Sequence, residues 1–122
     1  MPLTVRLKEK STGVFTLYLE GAIDTTTYLI LDKKVDLILQ SAPTVIIFDM
    51  KDVDYMSSVG VRVILKTRKV LKKKNGQVLL IHLQPQIKKV FEIIKALPTT
   101  SVFSNVAELD HYLDQMQRKK TG

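Results

Sequence analysis

Tyr55-Met-Ser-Ser-Val-Gly-Val-Arg-Val-Ile-Leu65, read with Thr44-Val-Ile-Ile-Phe-Asp49 just before it, decides the fold of this chain. The earlier run is short, apolar and largely β-branched, the composition of a strand covered on both faces of a sheet. Met50-Lys-Asp-Val-Asp54 turns polar and is predicted to be a turn. From Gly60 onward the apolar positions adopt helical spacing, with Val63, Ile64, Val70 and Leu71 on one face and Gly60 and Thr67 completing it. A buried strand thus passes into a helix, and two hydroxyls, Ser57 and Ser58, stand at the junction.

Working outward, Leu3-Thr-Val-Arg-Leu-Lys8 and Val14-Phe-Thr-Leu-Tyr-Leu19 alternate apolar and polar residues around a break at Ser11-Thr-Gly13, the pattern of a hairpin. Gly21-Ala-Ile-Asp-Thr-Thr-Thr27 reads as a loop in which Asp24, Thr25 or Thr26 caps a helix. Tyr28, Leu31, Val35, Ile38 and Leu39 form that helix's apolar stripe, and Ala42-Pro43 ends it. Beyond the central helix, Asn75-Gly76 is a helix stop and Gln77-Val-Leu-Leu-Ile-His82 a further buried strand. Pro85 opens a third helix bearing Ile87, Val90, Phe91, Ile94 and Leu97, closed by Pro98. Ser101-Val-Phe103 suits a short edge strand. Asn105 and Glu108 form a capping-box pattern before a last helix carrying Leu109, Tyr112, Leu113 and Met116. Strands and helices alternate after the hairpin, which implies parallel pairing through right-handed crossovers. The expected architecture is α/β, a mixed four- to five-stranded sheet with an N-terminal antiparallel hairpin and about four helices. Residues 1–116 form the single expected domain, and 117–122 a frayed tail.

A chain of 122 residues with 45% apolar composition can bury one core and has no room for a second domain. It contains no run of eighteen or more apolar residues, and its N-terminus has no signal-peptide pattern, so a soluble cytoplasmic protein with no membrane partner is expected. With no cysteine and two isolated histidines, His82 and His111, neither a metal nor a cofactor is expected. The net charge of +7 is concentrated. No acidic residue occurs from Tyr55 to Phe91, a stretch that contains Arg62, Lys66, Arg68, Lys69, Lys72, Lys73, Lys74, Lys88 and Lys89. Arg62, Lys66, Lys69 and Lys73 recur at helical spacing as one stripe. Such a stripe is a solvated face, a surface for an acidic partner or a nucleic-acid site, and the last lacks interleaved aromatics or a motif.

The sequence argues against an enzyme. A serine needs a neighbouring base to act as a nucleophile, and His82 at a strand end is the one candidate to reach Ser58. Gly-x-Ser-x-Gly is absent, and the glycines at 13, 21, 60, 76 and 122 form no phosphate loop. Asp49, Asp52 and Asp54 read as a solvated turn or as a magnesium or acid–base site that no other residue completes. The serines themselves suit modification. A phosphate at a helix start meets free amides and the positive end of the helix dipole, while adding roughly −1.5 to −2 charges to the surface. The competing reading makes Ser57 or Ser58 only an N-cap.

At these residues the chain resembles the anti-sigma factor antagonists, the bacterial branch of the STAS domain family. An aromatic-Met pair is followed by Ser57-Ser58-Val59-Gly60-Val61 at a helix start, where the family shows Asp-Ser-Ser/Thr-Gly-Leu. Gly21-Ala-Ile-Asp24 is similar to the family's Gly-x-Ile/Leu-Asp loop, and the element order agrees from about residue 3 to residue 115. Ser57 replaces the family aspartate, and Val59 the second hydroxyl. The resemblance implies a single STAS-like domain with Ser58 as phosphoacceptor and Asp24, Ser57, Ser58, Val59, Gly60 and Arg62 at the partner surface. It implies partner switching: the unphosphorylated form binds an anti-sigma factor that is a serine kinase of the histidine-kinase-like ATPase type. Phosphorylation releases the partner, and a serine phosphatase resets the switch. Two other readings stand beside it, an unphosphorylated scaffold module of a larger signalling assembly and a basic nucleic-acid-binding domain.

Overall fold

Alternation on two neighbouring strands sets the layers of the molecule. Ile46 and Phe48 point to one side of the sheet with Val78 and Leu80, while Val45 and Ile47 point to the other with Leu79 and Ile81. A computed structural model describes residues 3–94 and 102–121, with side chains as far as 116. Its elements are β1 (Thr4–Ser11), β2 (Val14–Ile23), α1 (Tyr28–Leu39), β3 (Val45–Met56), α2 (Ser58–Lys72), β4 (Gln77–Ile81), α3 (Pro85–Ile94), β5 (Val102–Phe103) and α4 (Val106–Thr121). The five strands lie in the order β1-β2-β3-β4-β5, antiparallel for the hairpin β1-β2 and parallel thereafter. The expected hairpin and mixed sheet are therefore present.

Each crossover advances one strand in the same direction, and connections of one hand then stack their helices on one face. Leu31, Val35 and Ile38 of α1, Val61, Val63, Ile64 and Leu71 of α2, and Ile87 and Phe91 of α3 share a core with Ile46, Phe48 and Met50. On the opposite face α4 is the one helix among the described residues. It buries Leu109 against Val45, Ile47, Leu79 and Ile81, with Tyr112 and Leu113 beside it. Its start carries the expected cap: Glu108 N donates to Asn105 Oδ1 at 2.9 Å, and Ser104 N donates to Glu108 Oε1 at 3.4 Å. Helix assignment continues through Thr121, across most of the segment set apart above as a tail. Leu97, Pro98 and Ser101 lie outside the described residues.

The predicted turn at Met50–Asp54 is instead the second half of a twelve-residue strand. Likewise Gly21, Ala22 and Ile23 belong to β2 and not to a loop. In the β2-β3 register, Tyr18 pairs with Asp49 but Glu20 with Asp52, and Gly21 pairs with Val53 but Ala22 with Tyr55. β3 thus takes one extra residue at each of two bulges. Each bulge lengthens the inward spacing from two residues to three, so that Met50, Val53 and Met56 all face the main core. A spacing of three does not read as a strand. Gly21, at φ +114°, takes a backbone conformation that side-chain-bearing residues rarely adopt, next to the second bulge. β4 ends at Ile81, opposite Asp49, so the outer edge of this extension has no strand neighbour. Side-chain amides at the start of α3 serve it: Gln84 Nε2 donates to the Lys51 carbonyl at 2.9 Å and Gln86 Nε2 to that of Asp54 at 3.3 Å.

Candidate functional site

The extended β3 carries the chain to the end of β2, where Ser57 N donates to the Ile23 carbonyl at 2.8 Å. That bond brings the start of α2 against the loop after β2, and with it Asp24 into the neighbourhood of Ser57. Gly60 makes the approach possible. A Cβ at Gly60 would lie 2.6 Å from Ile23 Cγ2 and 3.2 Å from Met56 Cγ, closer than carbon atoms pack. Gly60 is accordingly buried, and its place in the expected partner surface is to set the seat of the helix.

Ser57 occupies the N-cap position with extended backbone, φ −88° and ψ 171°, yet its hydroxyl caps nothing. The Gly60 amide it would serve already donates to Ser57's own carbonyl at 3.0 Å, and Oγ is buried with no hydrogen-bond partner. Ser57 is thus the N-cap by position only, without the side-chain bond expected of a capping hydroxyl. Ser58, the first residue of α2, is exposed, and its hydroxyl makes no hydrogen bond among the described residues. Val59 and Arg62, with Val63 and Lys66, form one wall of a shallow groove of about 250 Å³ whose other wall is Tyr28 and Asp32 of α1. Lys66 Nζ donates to Asp32 Oδ1 at 2.7 Å across it. This bond and the Asp32 charge hold the Lys66 ammonium above the usual lysine range.

Asp24 closes the loop on the other side. Its Oδ1 accepts from the amide and hydroxyl of Thr26 at 2.9 and 2.7 Å, and from those of Thr27 at 3.1 and 3.2 Å. The one hydrogen of Thr27 Oγ1 has the Ala22 carbonyl, at 2.7 Å, as its nearer acceptor, and the same oxygen accepts from Asp24 N at 2.9 Å. The N-cap of α1 itself is Thr27, without a side-chain cap bond, and not Asp24, Thr25 or Thr26 as expected; Asp24 instead caps the turn that precedes α1 by bonding two amides in succession. These bonds, the Thr26 hydroxyl first, hold its carboxyl below the usual carboxylate range. A depressed pKa in the folded state contributes stability above the ordinary value of 3.8 that disappears as pH falls through the folded value. An Asp24→Asn variant is therefore expected to melt below the parent protein at neutral pH, with the gap narrowing below about pH 3.8. A constant gap in thermal unfolding curves across that range would refute the role given to the carboxylate.

His82 does not serve Ser58. It follows the end of β4 at φ +62° and turns to Asp49, with Nδ1 3.1 Å from Oδ1; a carboxylate only accepts, so Nδ1 carries the hydrogen. Asp49 Oδ1 also accepts from Lys51 N at 3.1 Å, so this carboxylate is used within the sheet. Among the described residues, no group of three or more acidic or histidine side chains is placed to hold a metal ion. The residues missed from sequence are Thr27 and Asp32. Asp32 lies 34 residues from Lys66, beyond any spacing rule, whereas Thr27 was legible as the fourth polar residue of the Asp24 loop.

Comparison with known proteins adds a common thread. The family model described as the STAS domain matches residues 6–109. A protein of Bordetella bronchiseptica named putative anti-sigma factor antagonist BtrV is 28% identical over 85 residues, 70% of this chain and 73% of that one. The anti-sigma-B factor antagonist of Listeria monocytogenes is 25% identical over 93 residues, 76% of this chain and 82% of its own. In fold, the chain is similar to the anti-sigma factor antagonist SpoIIAA in its unphosphorylated form, with a TM-score of 0.80 at 20% identity, over 92% of this chain and 97% of that one.

Proposed function

This chain belongs to the STAS domain family, and from that membership we propose that it is an anti-sigma factor antagonist whose binding is switched by phosphorylation of Ser58. In its unphosphorylated form it binds an anti-sigma factor that is also a serine kinase of the histidine-kinase-like ATPase type. Binding frees the sigma factor that the kinase holds. Transfer proceeds by attack of Ser58 Oγ on the terminal phosphorus of ATP; the bond from that phosphorus to ADP breaks, and the hydroxyl proton passes to a base supplied by the kinase. A serine phosphatase restores the hydroxyl. The chain is acted upon and performs no chemistry itself, and the cytoplasm is its proposed compartment. Among the described residues no helix is long and apolar enough to cross a membrane.

The observation that carries this reading is the contrast between two adjacent serines. Ser57 Oγ is enclosed, while Ser58 stands exposed and unbonded at the head of a helix whose seat is fixed by Gly60 against Ile23. Asp24, Val59 and Arg62 lie around it as the surrounding partner surface. The basic stripe of α2 supports association with an acidic partner, since opposite charge raises the rate of encounter.

Capture of binding proteins followed by incubation with the captured kinase and ATP tests the proposal. Intact-mass analysis is expected to show one phosphate, mapped to Ser58, and loss of the complex. A stable complex with no phosphate after prolonged incubation would instead favour a scaffold module.

A further inference from the structure

Ser58 heads the basic stripe. Positions 58, 62, 66 and 69 follow one another at helical spacing along α2, with Lys73 at its C-cap, so Arg62 is the side chain one turn beyond Ser58 on the same side. Arg62 is exposed and makes no ion pair or hydrogen bond among the described residues, whereas Lys66, the next cation, is already held by Asp32. Asp32, the acidic residue lining the groove that Arg62 lines, bonds Lys66 and not Arg62.

We propose that Arg62 is the internal counter-ion of a phosphate on Ser58, rather than only part of the partner surface. This rests on the reading of Ser58 as the phosphoacceptor. The planar guanidinium offers two parallel N–H donors that match two phosphate oxygens, which an ammonium cannot do. An anion at i with a cation at i+4 is also the favourable order along a helix. Phosphorylation then acts twice. It adds negative charge at Ser58, and it draws Arg62 back onto its own helix, away from an acidic partner. Arg62 is here a positioning residue for the modified state.

The test uses the full chain with phosphoserine incorporated at position 58 during translation, so that no kinase is needed. The titratable groups of the adjoining groove are Arg62 and Lys66 from α2 and Tyr28 and Asp32 from α1, and Asp24 follows the Ile23 carbonyl that Ser57 N bonds. The second ionisation of the phosphate, ordinarily near pH ~6, is followed by ³¹P NMR. Arg62→Gln is expected to raise it by a few tenths of a unit, about a twofold change in proton affinity, and Arg62→Lys by less. Lys69→Gln, two turns further along the stripe, is expected to leave it in place. An Arg62→Gln titration superimposable on that of the parent, or an equal shift in Lys69→Gln, overturns the proposal. Failure of a kinase to modify Ser58 would count against the phospho-switch itself and leave this titration intact.

Discussion

A Ser58→Asp variant is expected to lose binding to the proposed kinase partner by roughly a hundredfold, on the scale of the few kcal/mol that a misplaced charge costs at an interface. Ser58→Ala is expected to bind as the parent does and to remain bound when ATP is added. The two variants separate charge from the loss of the hydroxyl. Neither should unfold the domain, because Ser58 is exposed and its hydroxyl bonds nothing. An aspartate at the first residue of α2 even adds roughly 0.3–1 kcal/mol through the helix dipole. Reduced binding in Ser58→Asp with a melting temperature equal to the parent's or a few degrees above it is thus the diagnostic pair, measured by calorimetry and thermal unfolding. Equal and persistent binding of both variants in the presence of ATP would end the switch hypothesis.

The second large effect is on stability. Gly60→Ala is expected to cost about 1–3 kcal/mol, because the added methyl enters the space of Ile23 Cγ2, and Ile23 is fully buried beneath the helix. For a domain of this size that lowers the melting temperature by roughly 5–15 °C. Removing the obstacle should restore part of the loss. In a cycle with Ile23→Ala, the double variant is expected to be at least about 1 kcal/mol more stable than the sum of the single effects predicts, as residues in contact couple. Strict additivity, or a Gly60→Ala protein that melts with the parent, would mean that some other contact sets the approach of α2 to the sheet.

Much of the fold was legible because its elements follow simple periods. The α1 stripe of Leu31, Val35 and Ile38, the buried β4 run and the Asn105 cap each depend on neighbours within a few residues. Asn75-Gly76 was legible for the same reason: Asn75 takes the left-handed conformation at φ +61°, and Gly76 N donates to the Leu71 carbonyl at 2.7 Å. The extension of β3 was not, because its inward spacing of three arises only from pairing with β2 across two bulges. The site divides in the same way. Asp24 could be read from its own loop, whereas the enclosure of Ser57 Oγ and the exposure of Ser58 depend on how the helix is seated.

What the sequence alone determined, then, is the order and type of the elements, the junction bearing two serines, and the basic side of the helix that follows. These are local properties, set by backbone conformation and by side-chain spacing along one segment. The tertiary structure decided which serine is presented, where His82 and Lys66 spend their hydrogen bonds, and why position 60 is glycine. Each of those depends on atoms brought together from distant segments: Ile23 beneath Gly60, Asp49 beside His82, Asp32 across from Lys66. Packing between segments, and not the sequence within one, turns two equivalent hydroxyls into one enclosed group and one exposed to a partner.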